Sequence, residues 1–189
     1  MNDKDETTNY GVGWKTVRHI YLSDKKNIYR SLKWPLFLSL VPTLVGILSD
    51  GNSSVLLESI INITISICPA ILGFTLSGYA LIIGLSNSKY IDGLLEYKQK
   101  GKSMFQSVNT VFAVVLFFSF FTTILAIVIK VIFECQIIIN STITVDILNW
   151  SVVFIILFLL IYTVNSIKDI VINIFNFGQF IQAKKDSEK

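Results

Sequence analysis

An all-α integral membrane protein, a four-transmembrane-helix bundle with amphipathic helices at its N- and C-terminal cytoplasmic ends, is the fold class this sequence predicts. Three observations predict it. First, 52% of the 189 residues are hydrophobic, only 15% are charged and the mean hydropathy is +0.63, too apolar for a water-soluble globule of this size. Second, four long apolar stretches recur along the chain. Third, almost every lysine and arginine falls outside those stretches and on one side of the implied topology.

Each apolar stretch must be helical, because lipid offers no partner to an unpaired backbone N–H or C=O. Residues 1–33 carry charges throughout and lack the uninterrupted apolar run of a secretory signal, so this segment is expected to stay in the mature protein on the cytoplasmic side. Within it, 14–33 reads as an amphipathic juxtamembrane helix. Trp14, Val17, Tyr21, Ile28 and Leu32 fall roughly on one face, and Lys15, Arg18, Lys25, Lys26 and Arg30 mostly on others. The sole histidine, His19, reads as a polar surface residue or a pH switch.

The transmembrane domain is expected over 34–167. Its first span, about 34–49, has Pro35 placed for a first helical turn and Pro42 placed to kink. The second, about 55–85, has 31 residues. At 1.5 Å per residue it would reach roughly 46 Å across a hydrocarbon core of about 30 Å, so it is expected to bend near Pro69, to protrude, or both. A charged cytoplasmic loop, 86–107, follows. The third and fourth spans are expected at about 108–133 and 147–164, with Trp150 and Tyr162 at the headgroup levels of the fourth. Residues 168–189 read as a cytoplasmic C-terminal helix and tail.

Fifteen of the sixteen cationic side chains sit in 1–33, 86–107 and the segment from 165 onward, which places both termini in the cytoplasm. The remaining one, Lys130, ends the third span, where its stem can snorkel to the outer headgroups. The outer connections are brief. Asp50-Gly51-Asn52 is a turn signal, and 134–146 is too short for a folded domain. Asn140-Ser141-Thr142 matches a glycosylation sequon, a triplet frequent by chance.

One stripe dominates the second span: Ser59, Asn62, Ser66, Ala70, Gly73, Ser77, Ala80 and Gly84 recur at intervals of three and four along one helical face. Small residues let helix backbones approach closely in lipid, so the stripe reads as a packing seam, within the bundle or between subunits. The alternative is a pore lining. Glu58 is either a charge at an outer mouth or an interfacial glutamate in water, and Asn62 one turn on would deepen the same polar vestibule. At the other end Ile174, Phe177, Phe180 and Ile181 continue the apolar pattern beyond Lys168. With Lys98 and Lys100 of the basic loop, they are the expected contact surface for a subunit, a soluble partner or the membrane surface.

Catalysis has no visible apparatus. Gly84-Leu85-Ser86 distantly suggests an intramembrane serine protease, but the one histidine is juxtamembrane. No paired intramembrane carboxylates, phosphate loop or metal-ligand spacing occurs, and Cys68 and Cys135 stand far apart in the chain. No enzyme activity, cofactor or metal is therefore expected. The net charge of +3 argues against direct nucleic-acid binding.

Basic cytoplasmic ends, tiny outer loops and a long second span with Gly73-Phe74-Thr75-Leu76-Ser77-Gly78 leading to the basic loop at Lys89 form a layout that covers the whole chain. In that layout it resembles KwaA, the membrane subunits of the Kiwa anti-phage defence system of bacteria. No motif aligns position by position, so no site residue is carried over. The resemblance implies a homo-oligomer, such as a tetramer, in the inner membrane, sensing phage attack on the envelope and recruiting a soluble DNA-binding partner of the KwaB type. An ion channel or pore-forming effector is the alternative.

Overall fold

The computed structural model describes residues 13–22, 25–49, 51–84, 98–99, 102–135 and 142–187. Lys100, most of the 86–107 loop and the first two residues of the sequon lie outside the described residues. In chain order the elements are α1 (Trp14–Leu22), α2 (Lys25–Leu48), α3 (Ser53–Gly84), β1 (Lys98–Gln99), β2 (Lys102–Ser103), α4 (Met104–Glu134) and α5 (Thr142–Ser187). The strands form one short antiparallel pair, Lys98 opposite Ser103. Helices α2 to α5 are long and apolar enough to cross a membrane, and together they make an all-α four-helix membrane bundle.

Every spanning helix is longer than its apolar stretch. Backbone hydrogen bonding does not stop where lipid ends, so polar flanks that can be helical extend each rod. Helix α2 starts at Lys25 rather than residue 34, and α5 passes unbroken through Lys168, so the fourth span and the C-terminal helix are one rod of 46 residues. Helix α3 likewise runs as one element through Pro69.

Charged residues mark where the bilayer sits. Glu58, Glu134 and Asp146 gather at the end that carries the two short connections, and Lys33 and Lys168 at the other. Asp146 and Lys168 are separated along α5 by about 33 Å at 1.5 Å per residue, which matches a hydrocarbon core of about 30 Å. The first is called here the acidic end and the second the basic end. Beyond Lys168, α5 continues to Ser187.

At the acidic end the chain turns tightly. Gly51 N–H donates to Gly46 O at 2.9 Å, closing the end of α2, and Asn52 Oδ1 accepts from the N–H groups of Ser54 and Val55, capping α3. Ser53 Oγ then donates to Asp146 at 2.8 Å, and buried Asn149 donates to Ser53 and Ser54, stapling α3 to α5. At the opposite end Ser103 and Gln106 form a reciprocal capping box that starts α4.

Two apolar clusters hold the bundle. Leu57, Ile60 and Ile61 of α3 pack against Val153 and Ile156 of α5 in the acidic half. Ile71 and Ile82 of α3, Val108, Phe112 and Val115 of α4, and Ile170 of α5 make the cluster at the basic end. Thr64, Cys68, Thr75, Ser119, Thr122 and Thr163 are fully buried between them. These small side chains let α3, α4 and α5 approach closely. Thr64 and Thr163 return their hydroxyls to carbonyls four residues earlier, the usual way to hide a hydroxyl in a helix.

Helix α2 packs on α5 through Pro35, Ser39, Thr43 and Gly46, spaced by four and three, while most of its large apolar side chains stay exposed. Pro35 is not in a first turn, as expected from an α2 starting at residue 34. It lies ten residues into the helix, where its missing N–H leaves Ser31 O without an intrahelical donor. Asn165 Nδ2 of α5 donates to that carbonyl at 3.4 Å. Asn165→Ala should therefore destabilise the folded bundle by about 1 kcal/mol. Pro35→Ala restores the intrahelical N–H, so the loss should largely vanish in that background, a coupling that a double-mutant cycle in mixed-micelle unfolding would read.

Candidate functional site

The face of α3 that packs inside the bundle runs Ser53, Leu57, Ile60 with Ile61, Thr64, Cys68, Ile71, Thr75 and Ile82. The small-residue stripe lies elsewhere. Ser59, Asn62, Ser66, Ala70, Gly73, Ser77 and Gly84 each follow an inward position of that helix by two residues, and Ala80 follows half-buried Gly78 in the same way. Two residues turn an α-helix by about 200°, so the stripe points away from the bundle. All eight are exposed, and a Cβ added at Gly73 or Gly84 would meet nothing within 4 Å. The expectation of a seam within the bundle is thus corrected. The same geometry excludes the stripe as the lining of a pore inside one chain.

Along this face two serine hydroxyls are satisfied locally. Ser66 Oγ donates to Asn62 O at 3.0 Å and Ser77 Oγ to Gly73 O at 2.9 Å. The surface is consequently shallow and able to face lipid or another helix. Phe74 and Leu76, both exposed, flank it.

Near its acidic end the stripe changes character. Asn62 Oδ1 accepts a 2.9 Å hydrogen bond from Lys130 Nζ of α4, a residue 68 positions away. Glu134 lies 3.8 Å from the same ammonium, one turn along α4. Glu58, one turn from Asn62 on α3, supplies a second carboxylate, and Ile61 and Phe133 give an apolar floor. Together these six residues line an open cleft of about 330 Å³ between α3 and α4. Within one chain the vestibule expected of Glu58 and Asn62 is a crevice between two helices. Lys130 reaches across that crevice to Asn62.

At the basic end the expected contact residues separate. Ile174 is half-buried, joins the core cluster and stands across from Gly78, where a Cβ would lie 3.7 Å from its Cδ1. The expectation of an exposed contact is corrected there, because α3 and the start of α4 run alongside α5 and cover that face. Phe177, Phe180 and Ile181 belong to the last turns of α5, and their side chains lie outside the described residues. Lys98 is in β1. The apolar side chains of this stretch that are exposed are Val171, Ile172 and Phe175.

Tyr162 is almost fully buried, edge-on to Phe118 at 4.7 Å. Its hydroxyl shares a 2.6 Å hydrogen bond with Tyr21 of α1. Helix α1 thus docks on the basic end of the bundle, with Lys15, Arg18 and His19 exposed and Val17 and Tyr21 half-buried. Burial pushes the Tyr21 phenol above its ordinary range, the Tyr162 hydrogen bond pulls it down, and the charge of Asp169 raises it further. Sequence spacing carried a signal for the α2 seam, small residues at 35, 39, 43 and 46, but none for Tyr21 with Tyr162 or Asn62 with Lys130.

These elements define a multi-pass bundle with one bare small-residue face and a charged cleft at its acidic end. No protein-family model matches the chain, and no curated protein and no solved structure gives a significant match.

Proposed function

We propose that this chain is a non-enzymatic subunit of a homo-oligomeric scaffold or sensor in the bacterial inner membrane, with its basic end and both termini in the cytoplasm. The observation that carries this reading is the bare run Ser66, Ala70, Gly73, Ser77, Ala80 and Gly84 on the outward face of α3. In lipid, where apolar burial gives helices no drive to associate, a flat strip of small residues lets two backbones meet closely enough for dispersion to do so. A second copy presents the same strip in the same orientation, so the surface is complementary to itself.

The placement of charge supports the orientation, since among the described residues every lysine and arginine except Lys130 belongs to a segment at the basic end. The exposed Val171, Ile172 and Phe175, beyond the bilayer on α5, are the surface on which a soluble partner would rest. In the setting that the KwaA-like layout implies, that partner is of the KwaB type and the stimulus is phage damage to the envelope. A change in bilayer state would favour one packing of the α3 faces over another and so alter the cytoplasmic surface, a population shift between two assemblies.

The test is disulfide trapping in membranes, with Cys68→Ala and Cys135→Ser removing the native thiols. Ala70→Cys and Gly73→Cys should give dimers on mild oxidation, whereas Val131→Cys on the exposed face of α4 should not. Monomers at both α3 positions, or equal dimer yield at Val131→Cys, would refute the seam.

A further inference from the structure

We infer that the cleft between α3 and α4 is a headgroup site for an aminophospholipid, with Lys130 taking the phosphate and Glu58 and Glu134 taking the primary ammonium. This rests on where the chain meets the bilayer and not on whether copies of it associate.

Depth comes first. Lys130 lies one helical turn inside Glu134, and Asn62 one turn inside Glu58, which sets the Lys130–Asn62 pair about 6 Å below the two carboxylates of the same cleft, at the level of phosphates and glycerol esters. An ammonium at that depth is costly unless it is paired. Asn62 gives Lys130 one neutral acceptor, and Glu134 at 3.8 Å is beyond hydrogen-bond range. A lysine carries three donors, so among the described residues two remain for an acceptor in the cleft.

Charge then selects the class of ligand. An anion alone would meet two carboxylates against one ammonium, and a cation alone would meet Lys130. No group of three metal-ligating side chains occurs among the described residues. A molecule that carries phosphate and ammonium a few atoms apart satisfies both signs at once. The carboxylates also favour an amine with N–H donors over a quaternary one, since only the former gives charge-assisted hydrogen bonds. Ile61 and Phe133 complete the fit, giving the glycerol and first methylenes an apolar floor.

Native mass spectrometry of the full chain, released from vesicles holding equal shares of phosphatidylethanolamine, phosphatidylglycerol and phosphatidylcholine, tests this. The unmodified chain should retain phosphatidylethanolamine roughly tenfold over the other two, the worth of one charge-assisted contact. Lys130→Met should lower phosphatidylethanolamine to the level of phosphatidylcholine. Glu58→Gln with Glu134→Gln should turn the preference to phosphatidylglycerol. Equal retention of all three lipids, or a preference that neither variant changes, would overturn the site. Retention of soluble phosphoethanolamine as tight as that of phosphatidylethanolamine would overturn its assignment to a membrane lipid.

Discussion

Phe112→Ala should cost the folded protein about 3 to 5 kcal/mol, while Ile156→Ala, equally buried, should cost distinctly less. The two side chains are removed from different surroundings. Ile156 belongs to the cluster of the acidic half, deep in the bilayer, where a separated helix would bury its side chain in lipid as readily as in protein. Only dispersion and cavity terms are lost there. Phe112 packs with Ile170 and Ile174, which lie past Lys168 and so outside the hydrocarbon, and its ring sits 5.7 Å from that of Tyr79. Water is the alternative for much of that cluster, and the transfer term returns. Unfolding of the purified chain in mixed micelles would compare them. Equal losses would mean that the basic-end cluster lies inside the bilayer, and the placement of Lys168 at the boundary would be wrong.

That contrast bears on what could be read from the residues. The existence of four spanning helices was legible because lipid imposes it: a long apolar stretch has no other way to satisfy its backbone. Which face of each helix points inward was not. In water the inner face is the apolar one, whereas here Phe74 and Leu76 on the outside are as greasy as Leu57 and Ile60 on the inside, so period alone cannot tell them apart. The small-residue stripe of α3 was real and correctly periodic, yet the bundle closes on the opposite face, around Thr64, Cys68 and Thr75. The quieter pattern Pro35, Ser39, Thr43 and Gly46, where helices do pack closely inside the chain, is readable as small residues one turn apart, though the two prolines dominate the same segment. Contacts between distant residues, Lys130 with Asn62 and Tyr21 with Tyr162, depend on the mutual register of rods. No local pattern contains that register.

Polar burial gives the bundle's centre a second consequence. Thr75, Ser119 and Thr122 are buried, and their hydroxyls find no hydrogen-bond partner among the described residues. Left so, such groups cost stability, and a χ1 rotation within the same helix would give each hydroxyl its own i−4 carbonyl, as Thr64 and Thr163 already have. A midplane lined with small, weakly satisfied side chains resists rotation less than a jigsaw of large ones does.

Gly46→Leu should detach α2 from the bundle. A Cβ on Gly46 would fall 2.7 Å from Cζ3 of Trp150, a distance real side chains essentially never show, so even Gly46→Ala forces the indole to move. Leucine adds three further carbons at a point where α2 and α5 nearly touch. Overpacking of this kind costs about 1 to 3 kcal/mol, and here it pulls at a helix whose hold on the bundle comes chiefly from one narrow face. The Asn165 donor to Ser31 lies at the far end of that same face, so separation at Gly46 would lever it apart as well. Thermal unfolding should show a graded loss, alanine smaller than leucine. Trp150→Val vacates the space a leucine needs, so Gly46→Leu with Trp150→Val should be more stable than the sum of the two single losses predicts. Strict additivity would mean that glycine at 46 answers to something other than the indole, and the close α2 to α5 crossing would have to be abandoned.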